Sequence, residues 1–120
     1  MRSDVFVYIS GPMTAKDGRT IEENVAAGVK IYLDLLRLKI PAFCPHLSGM
    51  FPSAWTVLDH ATWLEYDFRV IDRCTHVLLM DRWETSTGAR AEAAYAEKIG
   101  VPVFTSVVDL VFALRTAGRL

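Results

Sequence analysis

Two short runs constrain the fold of this chain most strongly: Val5-Phe6-Val7-Tyr8-Ile9 and His76-Val77-Leu78-Leu79-Met80. Neither alternates regularly between polar and apolar residues. A near-continuous apolar run of this length reads as a strand buried on both faces, as in the centre of a parallel sheet. Two weaker candidates accompany them. Ile40-Pro41-Ala42-Phe43-Cys44 begins at a proline, and Val101-Pro102-Val103-Phe104-Thr105 carries one near its start, as strand ends and edges do.

Helical patterns separate the runs. Thr20-Ile21-Glu22-Glu23 matches a capping box, and Ile21, Val25, Val29, Leu33 and Leu36 continue an amphipathic helix to about Leu38. Val57, Ala61, Leu64, Phe68 and Ile71 predict a second buried stripe, with Glu65 and Arg69 as an i,i+4 pair on its solvent face. A third helix runs from about Gly88 to Lys98 and stops at Gly100. A fourth spans Val107 to Thr116. Pro45 to Pro52 reads as an irregular loop. The order β-α-β-loop-α-β-α-β-α predicts an α/β fold with a parallel sheet of four to five strands, right-handed crossovers and helices on both faces. The doubly wound order 2-1-3-4 places the first and third strands side by side, with the topological switch between them.

The 120 residues suffice for one domain, residues 1–120, with a real core. Hydrophobic content of 52% and a mean hydropathy of +0.23 mark a globular chain. A net charge of −1 provides no basic field for nucleic acid or an anionic membrane. No apolar run approaches the roughly 20 residues that span a bilayer. Cys44 and Cys74 lack metal-site spacing and read as small buried apolar residues. A cytoplasmic protein without metal or cofactor is the expectation.

Ligands of open α/β sheets bind beyond the carboxyl ends of the strands, so the turns there carry the candidate site. Ser10-Gly11-Pro12-Met13 ends the first strand, and Trp83-Glu84-Thr85-Ser86-Thr87-Gly88 follows the third. Glu92 lies one turn beyond Gly88, close to the stripe of Ala89, Ala93 and Ala96, and no basic residue stands three or four positions away. It is either a surface glutamate on a good helix former or a nucleophile facing open space above the glycine. Asp67 neighbours Trp63, Leu64, Val70 and Ile71. An acid held among apolar groups has a raised pKa, which suits proton donation; an acid paired with something distant is the alternative. Tyr8 is core or site. Asn24 is a local polar cap or orients a ligand. Arg19 is a solvated loop residue or a phosphate contact, and His46 a structural or a catalytic histidine. Trp55, Trp63 and Trp83 pack the core or an interface, or stack on a ligand.

Taken together, Tyr8-Ile9-Ser10-Gly11-Pro12-Met13, Asn24, Trp63-Leu64-Glu65-Tyr66-Asp67 and Trp83 through Glu92 resemble the nucleoside 2-deoxyribosyltransferase superfamily, in particular its short bacterial and phage branch. The likeness runs from about Val5 to Val103. It implies a flavodoxin-like (Rossmann-like) fold and cleavage or transfer at the N-glycosidic bond of a nucleoside or its 5′-monophosphate. It also implies Glu92 as nucleophile, Asp67 as proton donor and Tyr8 as the group that holds Glu92. Ser10, Gly11, Pro12, Asn24, Ser86 and Gly88 would bind the substrate. Two departures stand out: Ser86 occupies the place of an aspartate, and the tail after Phe104 matches nothing that a neighbouring subunit would contribute. Ser86 favours a monophosphate. The expected partner is a small-molecule nucleoside or nucleotide, with no nucleic acid polymer and no membrane. The apolar load of Phe51, Trp55 and Trp63 points to a homo-oligomer, a dimer or larger. The rival readings are a non-catalytic nucleotide-binding or sensing module on the same fold, and a different glycosidic substrate such as a ribonucleotide or dinucleotide.

Overall fold

The structure is a computed structural model that describes Met1 and residues 4–120. Four parallel strands form one sheet in the order β2-β1-β3-β4. They are β1 (Val7–Ser10), β2 (Ala42–Phe43), β3 (His76–Leu79) and β4 (Val103–Phe104). Four helices connect and follow them: α1 (Ile21–Arg37), α2 (His60–Ile71), α3 (Thr87–Ile99) and α4 (Val107–Thr116). The α/β Rossmann-like class and the 2-1-3-4 order agree with the sequence.

Side chains alternate across the two central strands and divide the core in two. Val7, Ile9, Leu78 and Met80 face one way and join Leu35, Leu110 and Leu114 of α1 and α4. Tyr8, Val77 and Leu79 face the other way and join Ile71, Ala93 and Ala96 of α2 and α3. β1 pairs with β3 from Val7↔His76 through Ser10↔Leu79. The carboxyl ends of β1 and β3 are therefore adjacent, and the helices that follow them lie on opposite faces. This is the switch point of a doubly wound sheet.

Local signals explain the helix boundaries. The capping box of α1 is present: Glu23 N donates to Thr20 Oγ1, and Thr20 N donates to Glu23 Oε1, both at 3.1 Å. Ser86 and Ser106 cap α3 and α4 with their hydroxyls. Gly100 ends α3 at φ 81°, a left-handed conformation that suits glycine.

Several expectations change. The strands are shorter than the apolar runs. Val5 is buried but precedes β1, because Phe6 and Thr75 bond to each other through side chain as well as backbone there. The loop after β2 contains two short 3-10 helices, Pro45–Met50 and Pro52–Ala54. α2 begins at His60, because the Asp59 carboxylate accepts from Thr62 N at 2.7 Å and caps the helix there. Val57 thus stands outside the helix and is 70% exposed, and Ala61 is exposed as well. Only the later part of the predicted stripe packs on the sheet. Arg69 does not take Glu65 as its ion partner. Its Nε meets Asp72 Oδ2 at 2.9 Å, and its Nη2 donates to the Tyr95 hydroxyl at 2.9 Å.

His46 is almost fully buried beneath α1, and only a glycine at position 28 leaves it room. A Cβ on Gly28 would lie 2.5 Å from His46 Cγ. Overpacking of this kind costs about 1–3 kcal/mol. Gly28→Ala should therefore lower the urea midpoint of unfolding by that amount, and paired with His46→Ala it should recover part of the loss. A melt unchanged by Gly28→Ala would contradict this packing.

Candidate active site

The strand alternation that puts Tyr8 on the α2/α3 face also puts Ser10 there, two residues on. Both side chains reach Glu92. Ser10 Oγ donates to Oε1 at 2.7 Å, and the Tyr8 hydroxyl donates to Oε2 at 3.0 Å. Glu92 projects from the second turn of α3 and is 6% exposed. Its neighbours Ala89, Ala93 and Ala96 are small enough to bring α3 close to the sheet, which carries the carboxylate over β1.

Asp67 comes to the same point from α2. Its carboxyl shares hydrogen bonds with Glu92 and Tyr8. Two carboxyls in such contact need a proton between them. Burial, the Asp67 charge and its hydrogen bond push Glu92 up to about 8, against the pull of the Ser10 and Tyr8 hydroxyls. Burial also raises Asp67, opposed by hydrogen bonds to Glu92 and Tyr8 and by the His60 charge. The pair therefore carries one proton through neutral pH and titrates as a unit. Burial and the two acids raise the Tyr8 phenol well above its ordinary range, so it remains a donor.

Glu92 and Asp67 form part of the lining of a cavity of about 490 Å³ beyond the β1 and β3 ends. The size suits a small organic ligand. Gly11, Ser86 and Gly88 also line it, as expected. Trp55 and Trp63 lie in its wall, whereas Trp83 packs against the α2/α3 core. Phe43 lines it too, stacked on Tyr8 with ring centroids 5.9 Å apart.

Three residues expected to bind substrate take supporting positions. Ser10 spends its hydroxyl proton on Glu92. Asn24 is buried and donates to the carbonyls of Met13, at 3.3 Å, and Thr14, at 3.0 Å, so it shapes the loop that lines the cavity. Pro12 accepts from His46 Nε2 at 2.9 Å. A carbonyl can only accept, so this contact fixes the Nε2–H tautomer of a ring that burial keeps neutral. Pro12 and Asn24 border only a small adjoining cavity. Gly11 has a packing reason as well: a Cβ there would lie 2.6 Å from Met80 Sδ.

Among the wall residues to which the sequence assigned no role are Lys16 and His60. Lys16 Nζ donates to the Thr85 carbonyl at 2.9 Å, and Arg82 Nη2 donates to the Asp17 carbonyl at 3.2 Å. These bonds tie the loop after β1 to the loop after β3. The turn at Asp17-Gly18 was a visible signal for Lys16. His60 stands seven residues before Asp67, on the same helical face, which spacing could have revealed. Arg19 contributes its backbone to the Lys16–Arg19 turn. Cys44 and Cys74 are buried and unpaired, their thiols pushed up to about 11 and about 12 by burial. Among the described residues no group of His, Cys, Asp and Glu is arranged to hold a metal ion, and no helix is long and apolar enough to cross a membrane.

Fold and site together define a doubly wound α/β domain with two adjoining carboxyls at the switch point, Glu92 buried and Asp67 partly so. The chain belongs to the family described as a domain of unknown function, DUF4406, whose model matches residues 5–105. No curated protein matches it.

Two predictions follow from this geometry. Glu92 binds its proton more tightly folded than unfolded, where its pKa is near the ordinary 4.5. The stability this proton confers is complete below that value and is lost as pH rises towards 8, by roughly 1 kcal/mol per pH unit. Glu92→Gln should flatten this decline and melt higher than the parent at pH 9; a parallel decline in both proteins would contradict the assignment. Gly88 differs from the packing glycines. A Cβ there meets nothing nearer than His60 Cε1 and Ser86 Oγ, both at 3.9 Å, and its φ is not positive. Gly88→Ala should stabilise the fold by about 0.4–1 kcal/mol. Loss of stability would show that the fold itself requires this glycine.

Proposed function

We propose that the protein cleaves the N-glycosidic bond of a nucleoside or deoxynucleoside, or of its 5′-monophosphate, with Glu92 as nucleophile. The observation that carries this reading is that Asp67 and Glu92 stand in the wall of one switch-point cavity, with the Glu92 carboxyl held by Ser10 and Tyr8. Substitution at an anomeric carbon needs one carboxylate to attack and one carboxylic acid to protonate the leaving group. The resemblance to the nucleoside 2-deoxyribosyltransferase superfamily points the same way.

The reactive form has the proton on Asp67 and the charge on Glu92; the Ser10 and Tyr8 donors pull towards it, against the burial and the Asp67 charge that raise Glu92. Glu92 attacks C1′. The bond from C1′ to the base nitrogen breaks, its electron pair stays with the base, and the base takes the Asp67 proton. The product is a glycosyl ester on Glu92. Asp67, now a carboxylate, takes a proton from water as that water attacks C1′ and frees Glu92. A second base in place of water gives transfer instead of hydrolysis.

The setting we propose is cytoplasmic, in keeping with two buried, unpaired thiols. We also propose a homo-oligomer. Met50, Phe51 and Val57 are 57%, 66% and 70% exposed, in the segment that supplies part of the cavity wall. A second reading is a module that binds nucleotides without cleaving them: a Glu92 carboxyl pushed up to about 8 by burial and by Asp67 would donate a hydrogen bond instead of attacking.

Chromatography of base release from a panel of nucleosides, deoxynucleosides and their 5′-monophosphates, with and without an acceptor base, separates these readings. Release should vanish in Glu92→Ala and fall by about 10²–10⁴ in Asp67→Asn. The rate should follow a bell-shaped pH profile. It falls on the alkaline side near 8, where the pair loses its shared proton, and on the acid side, where both carboxyls are protonated. Binding without release from any member of the panel would sink the glycosidase reading and leave the binding module.

A further inference from the structure

We infer that His60 is a specificity residue of this cavity, reading the outer polar edge of the leaving heterocycle whose glycosidic nitrogen meets Asp67. The inference rests on the function proposed above and adds a residue to it.

His60, Trp63, Leu64 and Asp67 all line the cavity. Their spacing of three, four and seven is that of one helical face. α2 therefore presents an imidazole, an indole, a leucine side chain and a carboxyl in a row about 10 Å long. The row is polar at both ends and apolar between them. A flat heterocycle has the matching chemistry: apolar faces to lie on Trp63 and Leu64, and hydrogen-bonding edges.

The orientation follows from the carboxyl pair. Asp67 touches Glu92, so the bond to be broken lies at that end of the row, and the far edge of the base points towards His60. The His60 Cε1 lies 3.9 Å from where a Cβ of Gly88 would stand, so the ring edge borders the first turn of α3. A ligand that enters above Gly88 passes this ring.

His60 is free for such a role. Asp59, not His60, caps α2. Among the described residues no hydrogen bond occupies the His60 ring nitrogens, and the residue is exposed. In its neutral form the imidazole offers one donor and one acceptor, and in its charged form two donors. A ring nitrogen beside an exocyclic amino or oxo group presents the complementary pair.

The test uses free bases, so that it does not depend on turnover. Adenine, hypoxanthine, cytosine, thymine and uracil are each titrated into the full chain, with tryptophan fluorescence as the signal, because Trp55 and Trp63 line the cavity. At least one base should quench with saturation. His60→Leu should weaken that base by about tenfold, the loss expected for one net hydrogen bond, and should change the rank order of the bases. His60→Gln, which keeps one donor and one acceptor, should recover most of both. The exposed position allows all variants to fold, which thermal melts verify. Absence of saturable quenching by any base would overturn the inference. So would unchanged affinity and rank order in His60→Leu. Failure of the glycosidase reading is seen separately. Bases that bind through His60 without Glu92-dependent release would refute the reaction and leave the role of His60 intact.

Discussion

The structure depends on one arrangement: two carboxyls buried together against a pair of hydroxyls on the central strand. Burying an ionised carboxylate without partners is costly, and partly protonated pairs are the usual outcome. Here Ser10 and Tyr8 each give a hydroxyl to Glu92, and Asp67 shares the remaining proton. Strand geometry makes this possible, because residues 8 and 10 must point to one face. The same alternation sends Val7 and Ile9 into the opposite apolar cluster. β1 thus anchors both halves of the core while holding the polar cluster at its carboxyl end.

The glycines separate what the fold requires from what a ligand would require. Gly11, Gly28 and Gly49 each press against a side chain so closely that a Cβ would fall within 3.0 Å of it. They are glycines because Met80, His46, and Val25 with Met13 need the space. Gly88 has no such neighbour, and helix propensity alone would favour alanine there. Gly88 is thus required neither by packing nor by local preference, and it lines the cavity one turn before Glu92.

Much of this was legible in the sequence. The two apolar runs identified β1 and β3, and alternation with helical patterns gave the strand order. Glu92 and Asp67 stood out because each lay beside an apolar stripe without a basic neighbour, and the structure brings them together with Tyr8. What was not legible depends on contacts between loops. The spacing of Val57 and Ala61 suited a longer α2, but the Asp59 cap starts the helix at His60. Asn24 and Pro12 sit where ligand contacts were expected, yet Met13, Thr14 and His46 occupy their polar groups. The Lys16–Thr85 and Arg82–Asp17 ties join segments more than sixty residues apart, and periodicity carries no information about them.

The distribution of positive charge bears on how the carboxyl pair is used. A buried acid held by an arginine or lysine is neutralised by that cation, and its pKa falls. The cations near this cavity do not serve the pair in that way. Lys16 donates to a backbone carbonyl, Arg82 does the same, and the nearby His60 charge only partly offsets the effect of burial on Asp67. The pair is neutralised chiefly by its own proton. A cation held in a salt bridge cannot be passed to a leaving group, whereas a proton shared between two oxygens can. The fold accepts the cost of two adjoining acids, one buried and one partly so, without a fixed counter-ion, and the arrangement that results leaves a proton able to move between them.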